Sequence, residues 1–460
     1  MNLPGKLFCL FTALTCSASA QEKTLQPRVG EAIEAVSEER IAATIRKLAS
    51  FPTRNTLSSE GIAAARQWIF DEFRGYSPRL QVSLEHFRVK KADERIFRDV
   101  DLYNVVAVLP GTSLPETQVL VTGHYDSLNL VPMPGKSSAP EPADNVSERT
   151  TAYDWTQVDV AAPGANDDAS GTAAVMELAR VLSRYQFPKT LVFIAFAGEE
   201  QGLIGSSLHA SEARKQALEI EAVLNNDIIG SETSGNGRTG NGSVNLYSSD
   251  VTDSNSQQLA RYARQMGERY LPSMKVNMIF MQDRLGRGGD HTPFQQEGFA
   301  AVHLSTPNEN YAHEHSATDL PEFVSAPYTA RVARINAAVA ASLALAPKPP
   351  VVTRVAATGA LKGQLVPRIS RGASRYDARL QWTSGGSGSN LKGYAIVMRS
   401  TTAPDWEQEV FVGNRNEYVL KDVSIDEFRF GVKAIDADGN ESLVAPYIYP
   451  PRPKREIPVY

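Results

Sequence analysis

The sequence has almost no cysteine. Its only two cysteines, Cys9 and Cys16, both lie within the first twenty residues. A chain that loses this segment contains no thiol, which excludes a disulfide framework and a cysteine-ligated metal site. An excess of basic residues is also missing, since the formal net charge is -5. No broad positive field is available for a phosphate backbone, and we expect no nucleic-acid partner.

A run of apolar residues long enough to span a membrane is likewise missing. The N-terminus instead carries Lys6, an apolar stretch from Leu7 to Cys16, and the small residues 18–20. This layout is typical of a cleaved secretory signal peptide over residues 1–20, and the stretch is too short to cross a bilayer as a helix. We therefore expect a secreted or periplasmic protein. Lipid attachment at Cys16 is the minor alternative, because the residues before it match such a processing site poorly.

The chain is long enough for more than one folded unit. It has 460 residues, of which 42% are hydrophobic and 22% charged, as in ordinary packed proteins. After Leu345 the proline-rich residues 347–350 cannot continue a helix and form a stiff linker. We predict a large domain over residues 21–346, a smaller one over residues 351–450, and a tail at residues 451–460.

In the first unit, apolar runs of strand length alternate with helical patterns. The runs lie at residues 102–109, 119–122, 191–197, 222–226 and 300–304. Between them, apolar residues from Ala174 to Leu182 recur at helical spacing, and two further amphipathic helices are expected between Glu31 and Gly75. Such alternation predicts an α/β fold with a mixed, mostly parallel sheet that is flanked by helices.

The pattern changes to a period of two in the second unit. Apolar and polar residues alternate over residues 379–383, and again over residues 428–434 before a turn at residues 438–440. This alternation predicts a small C-terminal antiparallel β-sandwich. The segment 428–442, together with Trp382 upstream, resembles a fibronectin type III domain.

Metal-binding side chains follow several of the predicted buried strands. His124 follows the run at 119–122, Glu199 and Glu200 follow the next run, and Asp227 follows the one after it. In an open parallel sheet these strand ends face one crevice, so the groups can converge. Carboxylates gathered without a cation would repel one another and lose hydration, so the cluster predicts a metal. Imidazole and carboxylate donors without sulfur suit zinc in a hydrolytic role.

Five short segments resemble a known enzyme family. They are GHYDS at 123–127, GANDDASG at 164–171, AGEEQG at 197–202, ND at 226–227 and HSATD at 315–319. In this order they are similar to the secreted di-zinc aminopeptidases, a family of bacterial leucyl aminopeptidase-like enzymes related to glutamate carboxypeptidases and glutaminyl cyclases. The resemblance covers about residues 25–345. Each motif is weak by itself, whereas five in order are specific.

The resemblance implies a zinc exopeptidase fold with two zinc ions in each chain. The implied metal ligands are His124, Asp167, Glu200, Asp227 and His315. Asp167 is the ligand that both ions would share, and its peptide bond to Asp168 would be cis. His313 competes with His315 for the ligand role, but the HSATD motif favours His315.

The resemblance also implies roles around the metals. Glu199 corresponds to the general base that takes a proton from metal-activated water. The residues that would support the ligands are Asp126, Asp168 and Asp290. Asp126 would orient the imidazole of His124, which lies two residues before it. Arg287 and Tyr311 are the candidate substrate contacts.

The implied reaction is the removal of N-terminal amino acids from peptides, and we expect a monomer. A carboxypeptidase and a glutaminyl cyclase on the same scaffold are the enzymatic alternatives, and a non-catalytic binding protein is the third. Residues 132–155 would form an added loop at the rim of the crevice. Because residues 308–314 are polar, no simple preference for leucine is expected.

Overall fold

The computed structural model describes residues 25–135, 153–386 and 390–451. The predicted signal peptide lies outside the described residues, as do residues 136–152 of the predicted rim loop and all but the first residue of the predicted tail. Within the described ranges, no helix is both long and apolar enough to cross a membrane.

The first part of the chain folds into one eight-stranded sheet with helices. The helices are α1 (Pro27–Glu34), α2 (Glu38–Ala49), α3 (Gly61–Tyr76), α4 (Ala169–Leu182), α5 (Ile204–Lys215), α6 (Asn255–Tyr270), α7 (His291–Gln296) and α8 (Ala326–Leu345). The strands are β1 (Gln81–Val89), β2 (Val100–Leu109), β3 (Leu114–His124), β4 (Lys189–Phe196), β5 (Glu219–Asn226), β6 (Ser243–Tyr247), β7 (Lys275–Ile279) and β8 (Ala301–Ser305).

The sheet is mixed and mostly parallel, as predicted. Its strand order is β1-β2-β4-β3-β5-β8-β6-β7, and the four central strands β4, β3, β5 and β8 run parallel. β1 and β2 add to one side antiparallel, and β6 pairs antiparallel with β8. Every residue of β4 is buried, and α4 and α8 are buried along almost their whole length. Burial on both faces explains why the central strands are continuous apolar runs in the sequence.

The N-terminal helices differ from the prediction. The two predicted helices are present as α2 and α3, and a further helix, α1, precedes them. The break between α1 and α2 lies at Ser37, whose side chain accepts a hydrogen bond from the backbone N–H of Arg40 and caps α2. Strands β6 and β7 are missing from the prediction, and so is β1. β1 is an edge strand with alternating polar residues and without a fully buried position, so it shows no apolar run.

The second part of the chain forms a small β-sandwich, as predicted. Its strands are β9 (Val351–Val352), β10 (Arg354–Ala356), β11 (Leu365–Pro367), β12 (Ile369–Ser370), β13 (Ala378–Thr383), β14 (Leu391–Ser400), β15 (Gln408–Gly413), β16 (Glu417–Leu420), β17 (Phe428–Asp436) and β18 (Ala445–Pro446). One sheet has the order β12-β13-β16, with β9 also paired to β13, and the other has the order β15-β14-β17-β18. Trp382 from the first sheet and Tyr394 from the second meet edge to face in the shared core.

The sandwich docks on helix α6 through charged residues that are buried. Arg399 of β14 donates to Asp253 over 2.7 Å, and Arg261 of α6 approaches the same carboxylate at 3.1 Å. Lys433, on the face of β17 that alternation assigns to solvent, is only 4% exposed and pairs with Glu409 and Glu441. The outer face of this sheet is therefore an interface, which a period of two does not predict.

Replacing Asp253 with alanine is expected to destabilise the protein by about 3–5 kcal/mol, because two arginines would be left buried without their carboxylate. The side chain of Asp253 is 5% exposed. Denaturant unfolding of the full chain measures the change. The matched control is Asp426→Ala, which breaks an arginine–aspartate pair that is more than half exposed on both sides and should matter little. Equal effects of the two substitutions would contradict the structural role given to Asp253.

Candidate metal centre

The carboxyl ends of three central strands meet at one edge of the sheet. His124 is the last residue of β3, Asp227 follows β5, and Glu199 and Glu200 follow β4. β3 pairs in parallel with both β4 and β5, so these ends face the same crevice. His124 Nε2 lies 3.6 Å from Asp227 Oδ1. The structure brings these side chains together at the strand ends.

Asp167 lies between two histidines. Its Oδ1 is 3.2 Å from His124 Nε2, and its Oδ2 is 3.1 Å from His315 Nε2. Asp167 directly precedes the N-cap residue of α4, Asp168, and the bond between the two aspartates is cis, as the resemblance implied. Each oxygen of one carboxylate therefore faces a different imidazole, which is the arrangement expected of a ligand shared by two cations.

Each histidine also has a carboxylate of its own. His315 Nε2 lies 3.1 Å from Glu200 Oε2, and Asp227 is the corresponding partner of His124. Three buried atoms of this cluster have no hydrogen-bond partner among the described residues, namely His124 Nε2, Glu200 Oε1 and Asp227 Oδ1. Buried polar atoms that lack partners are costly unless something else binds them. The donor set, all nitrogen and oxygen, therefore fits two divalent cations such as zinc.

Two aspartates hold the backbone of the ligand segments. Asp126 accepts hydrogen bonds from the backbone N–H groups of Glu199 at 3.4 Å and Glu200 at 3.3 Å. Its Oδ1 also lies 3.4 Å from His124 Nδ1, on the side of the ring away from the cluster. Asp168 accepts from the backbone N–H of His124 at 3.2 Å. Both carboxylates therefore hydrogen-bond to the backbone of segments that carry the predicted ligands.

Glu199 stands beside the His124 half of the cluster. Carboxylate and imidazole atoms of Glu199, His124 and Asp227 all lie within 4.8 Å of one another. Burial raises the pKa of the Glu199 carboxyl well above its usual range, and the negative charges of Glu200 and Asp227 add to the rise. A carboxylate with a raised pKa next to a hydrolytic centre is suited to accept a proton from water.

Comparison with known proteins identifies the family. The model of peptidase family M28 matches residues 104–340. A protein of Pyricularia oryzae described as "Probable zinc metalloprotease" is 35% identical over 467 residues, which cover 93% of this chain and 84% of the relative. A second protein with the same description, from Pyrenophora tritici-repentis, is 34% identical, and the match covers 91% of this chain and 86% of the relative. The chain belongs to peptidase family M28.

Solved structures with the same fold include exopeptidases and a cyclase. The Legionella pneumophila LapA aminopeptidase has a TM-score of 0.51 and 19% identity, and covers 70% of this chain and 76% of that one. The aminopeptidase from Aneurinibacillus sp. strain AM-1 has a TM-score of 0.50 and 16% identity, covering 69% and 96%. Porphyromonas gingivalis glutaminyl cyclase has a TM-score of 0.50 and 15% identity, and the match covers 66% of this chain and 98% of the cyclase. At these identities the likeness shows the fold alone.

The cluster of this M28 peptidase opens into a cavity of about 260 Å³. Apart from the metal-binding side chains, the wall includes Leu128, Leu130, Leu203, Tyr153, Trp155, Arg95, Arg284 and Arg287. Tyr153 and Trp155 belong to the described end of the predicted rim loop, and the guanidinium of Arg95 lies 4.7 Å from the Trp155 ring. The described part of that loop therefore borders the cavity.

The remaining predicted residues divide into those at the cavity and those away from it. Arg287 lines the wall, and Asp290 is buried nearby, where burial raises its pKa to about 7. Tyr311 is 63% exposed and is not part of the wall. His313 stacks on Phe323 and contacts Thr318. His315, by contrast, lies against Asp167 and Glu200 in the cluster.

Arg54 supports the site and is missing from the sequence-based prediction. Its guanidinium is fully buried and donates to the backbone carbonyls of Tyr125 at 2.7 Å and Gly164 at 2.9 Å. It thereby ties the end of β3 to the loop that carries Asp167. Burial lowers its pKa to about 10, although nearby aspartates including Asp319 oppose this. A single arginine whose partners are backbone carbonyls leaves no motif, so sequence patterns contain no signal for this role.

Proposed function

We propose that this chain is a zinc-dependent exopeptidase that removes amino acids from the N-termini of peptides. The observation that carries the proposal is the position of Asp167, whose two oxygens face the Nε2 atoms of His124 and His315 at 3.2 and 3.1 Å. Membership of peptidase family M28 and the descriptions of its relatives as zinc metalloproteases support peptide hydrolysis with zinc.

In this proposal, His124, Asp167 and Asp227 hold one zinc ion, and Asp167, Glu200 and His315 hold the other. When bound, the two ions would supply an activated water and polarise the scissile carbonyl. Glu199 accepts the proton of the attacking water and returns it to the leaving amine. Burial raises the pKa of this carboxyl, which makes its carboxylate a stronger base for that proton.

The size and charge of the cavity support the choice of a chain end over an internal bond. At about 260 Å³ it is slightly smaller than typical ligand pockets, which span roughly 300–1,000 Å³. Glu200 and Asp227 line it, so a free α-ammonium group would meet acidic side chains. An acetylated N-terminus carries no such charge and is larger, and it should be rejected.

A peptide panel tests the specificity. We expect release of the first residue from peptides with a free N-terminus and an amidated C-terminus, and no cleavage of the same peptides after N-acetylation. Mass spectrometry of the products distinguishes the outcomes. Loss of the last residue from acetylated peptides with a free C-terminus would instead identify a carboxypeptidase. Cyclisation of an N-terminal glutamine without hydrolysis would identify a glutaminyl cyclase, and either result would refute the proposal.

A further inference from the structure

The outer oxygen of Asp227 faces two basic side chains. Arg284 Nη2 lies 3.4 Å from Asp227 Oδ2, and His303 Nε2 lies 3.7 Å from the same oxygen. His303 Nε2 is also 3.4 Å from the backbone oxygen of Asp227. The inner oxygen, Oδ1, faces His124 and has no hydrogen-bond partner in the part of the chain that the structure describes. The two oxygens of this carboxylate therefore have different surroundings.

Asp283 holds both basic side chains in place. Its Oδ1 accepts from Arg284 Nε at 3.0 Å, and its Oδ2 lies 3.3 Å from His303 Nδ1. Burial opposes the charge of Asp283, but His303 and Arg284 outweigh it, so the pKa of this carboxyl lies well below its usual range. Glu309 accepts from the other side of Arg284 at 2.9 Å. His303 is completely buried, so water does not compete for these contacts.

The fold explains how His303 reaches Asp227. Strand β8 pairs in parallel with β5, and His303 is opposite Asn225, two residues before Asp227. Asp283 and Arg284 lie in the segment between β7 and α7, and both Arg284 and Gly286 of this segment line the cavity. In the sequence His303 is an isolated histidine inside an apolar run, which gives no reason to connect it with residues 283 and 284.

The other carboxylate ligand has no such support. Glu200 faces His315, and over the described ranges it forms no ion pair with an arginine or lysine. Its Oε1 has no hydrogen-bond partner in those ranges. The two halves of the centre therefore differ in how firmly their own carboxylate is oriented.

We propose that His303 and Arg284 are positioning residues that fix Oδ2 of Asp227 and so present Oδ1 toward His124, and that Asp283 holds the pair. This inference rests on the proposed metal centre. It implies that loss of His303 weakens zinc binding at the His124–Asp227 half by about 10–100-fold, as loss of a partner that orients a ligand typically does. The Glu200–His315 half should keep its affinity.

Zinc titration of the metal-free full chain against a chromophoric chelator tests the inference without any use of substrate. The wild type should bind two zinc ions, and His303→Ala should bind one normally and one about 10–100-fold more weakly. Asp283→Asn should weaken binding of the same ion. His303→Gln retains a hydrogen-bond donor and should therefore bind that ion more tightly than His303→Ala does. The matched control is His209→Gln. His209 Nδ1 lies 3.0 Å from the carboxylate of Glu85, and His209 does not line the cavity.

Paired substitutions identify which ion is affected. With His315→Ala in the background, only the His124–Asp227 half remains complete, and adding His303→Ala should weaken it. With Asp227→Ala in the background, adding His303→Ala should not change the affinity for the remaining zinc ion. Unfolding midpoints of all variants show whether they fold.

Three results would overturn the inference. The first is that His303→Ala leaves the affinity for both zinc ions unchanged, and the second is that it lowers both affinities equally. The third is a further zinc ion in the wild type that His291→Ala removes, because Asp283, His291 and His303 would then be ligands themselves. A wild type that fails to bind two zinc ions would refute the metal centre itself, which separates that failure from failure of the positioning role.

Discussion

Replacing Glu199 with glutamine is expected to lower kcat by about 10²–10⁴-fold, the usual contribution of a general base, while both zinc ions remain bound. Glutamine keeps the size of the side chain but cannot accept the proton of the attacking water. Glu199 is not among the five proposed ligands, so the metal should stay. The expected pattern is a loss of turnover with little change in KM.

Steady-state kinetics and elemental analysis of the same preparation measure both quantities. A suitable control is Glu212→Gln on α5, because this side chain is 46% exposed and contacts Lys215 and Gln216 at the surface, away from the cavity. Full activity of Glu199→Gln would refute its role as base. Loss of zinc together with activity would show that Glu199 acts as a ligand. The experiment has to distinguish this outcome because the side-chain donor atoms of Glu199, His124 and Asp227 lie within 4.8 Å of one another.

The strands that present the ligands can be predicted because they are buried on both faces. β4 is apolar except for Lys189 and Thr190 at its start, and the acidic pair after it breaks that pattern sharply. The edge strand β1 alternates with polar residues, so its pattern is weaker and it is missed. Lys433 shows the converse case, where a residue on a predicted solvent face is buried and paired with Glu409 and Glu441.

The metal centre was only partly predictable from the residues themselves. Strand ends place His124, Glu200 and Asp227 in one crevice, and this needs nothing beyond hydrophobic patterning and sheet geometry. The sharing of Asp167 and the choice of His315 came from the resemblance to a family, since both lie in loops where periodicity gives no position. His315 has a left-handed backbone with φ of 49°, which sequence patterns do not reveal for a histidine.

The residues around the ligands were the least predictable. Arg54 acts through backbone carbonyls, and His303 contacts Asp283, a residue 20 positions earlier. Such partners are defined only after the chain has folded, because no local pattern requires them. Arg284 shows the same limit, since it touches both Asp283 and Asp227 and also lines the cavity.

Replacing Asp167 with asparagine is expected to reduce bound zinc from two ions to at most one, and to lower kcat/KM by at least about 10³-fold, because activation of the water and polarisation of the carbonyl are both impaired. Asp167 is the one proposed ligand whose two oxygens face the two ligand histidines, His124 and His315. An asparagine offers one carbonyl oxygen and an NH₂ group that cannot bind a cation. It can serve one half of the centre and must turn a donor toward the other.

The measurement is zinc per chain by elemental analysis after dialysis, with activity on a free N-terminal peptide. The control Asp101→Asn changes another aspartate that contacts a histidine, at 2.8 Å from His86, but on the exposed surface of β2. It should bind two zinc ions and keep its activity. Single-site variants give the scale, since His315→Ala removes a ligand of one ion only. If Asp167→Asn retained two zinc ions as firmly as the wild type, the proposal that Asp167 holds both ions would be wrong.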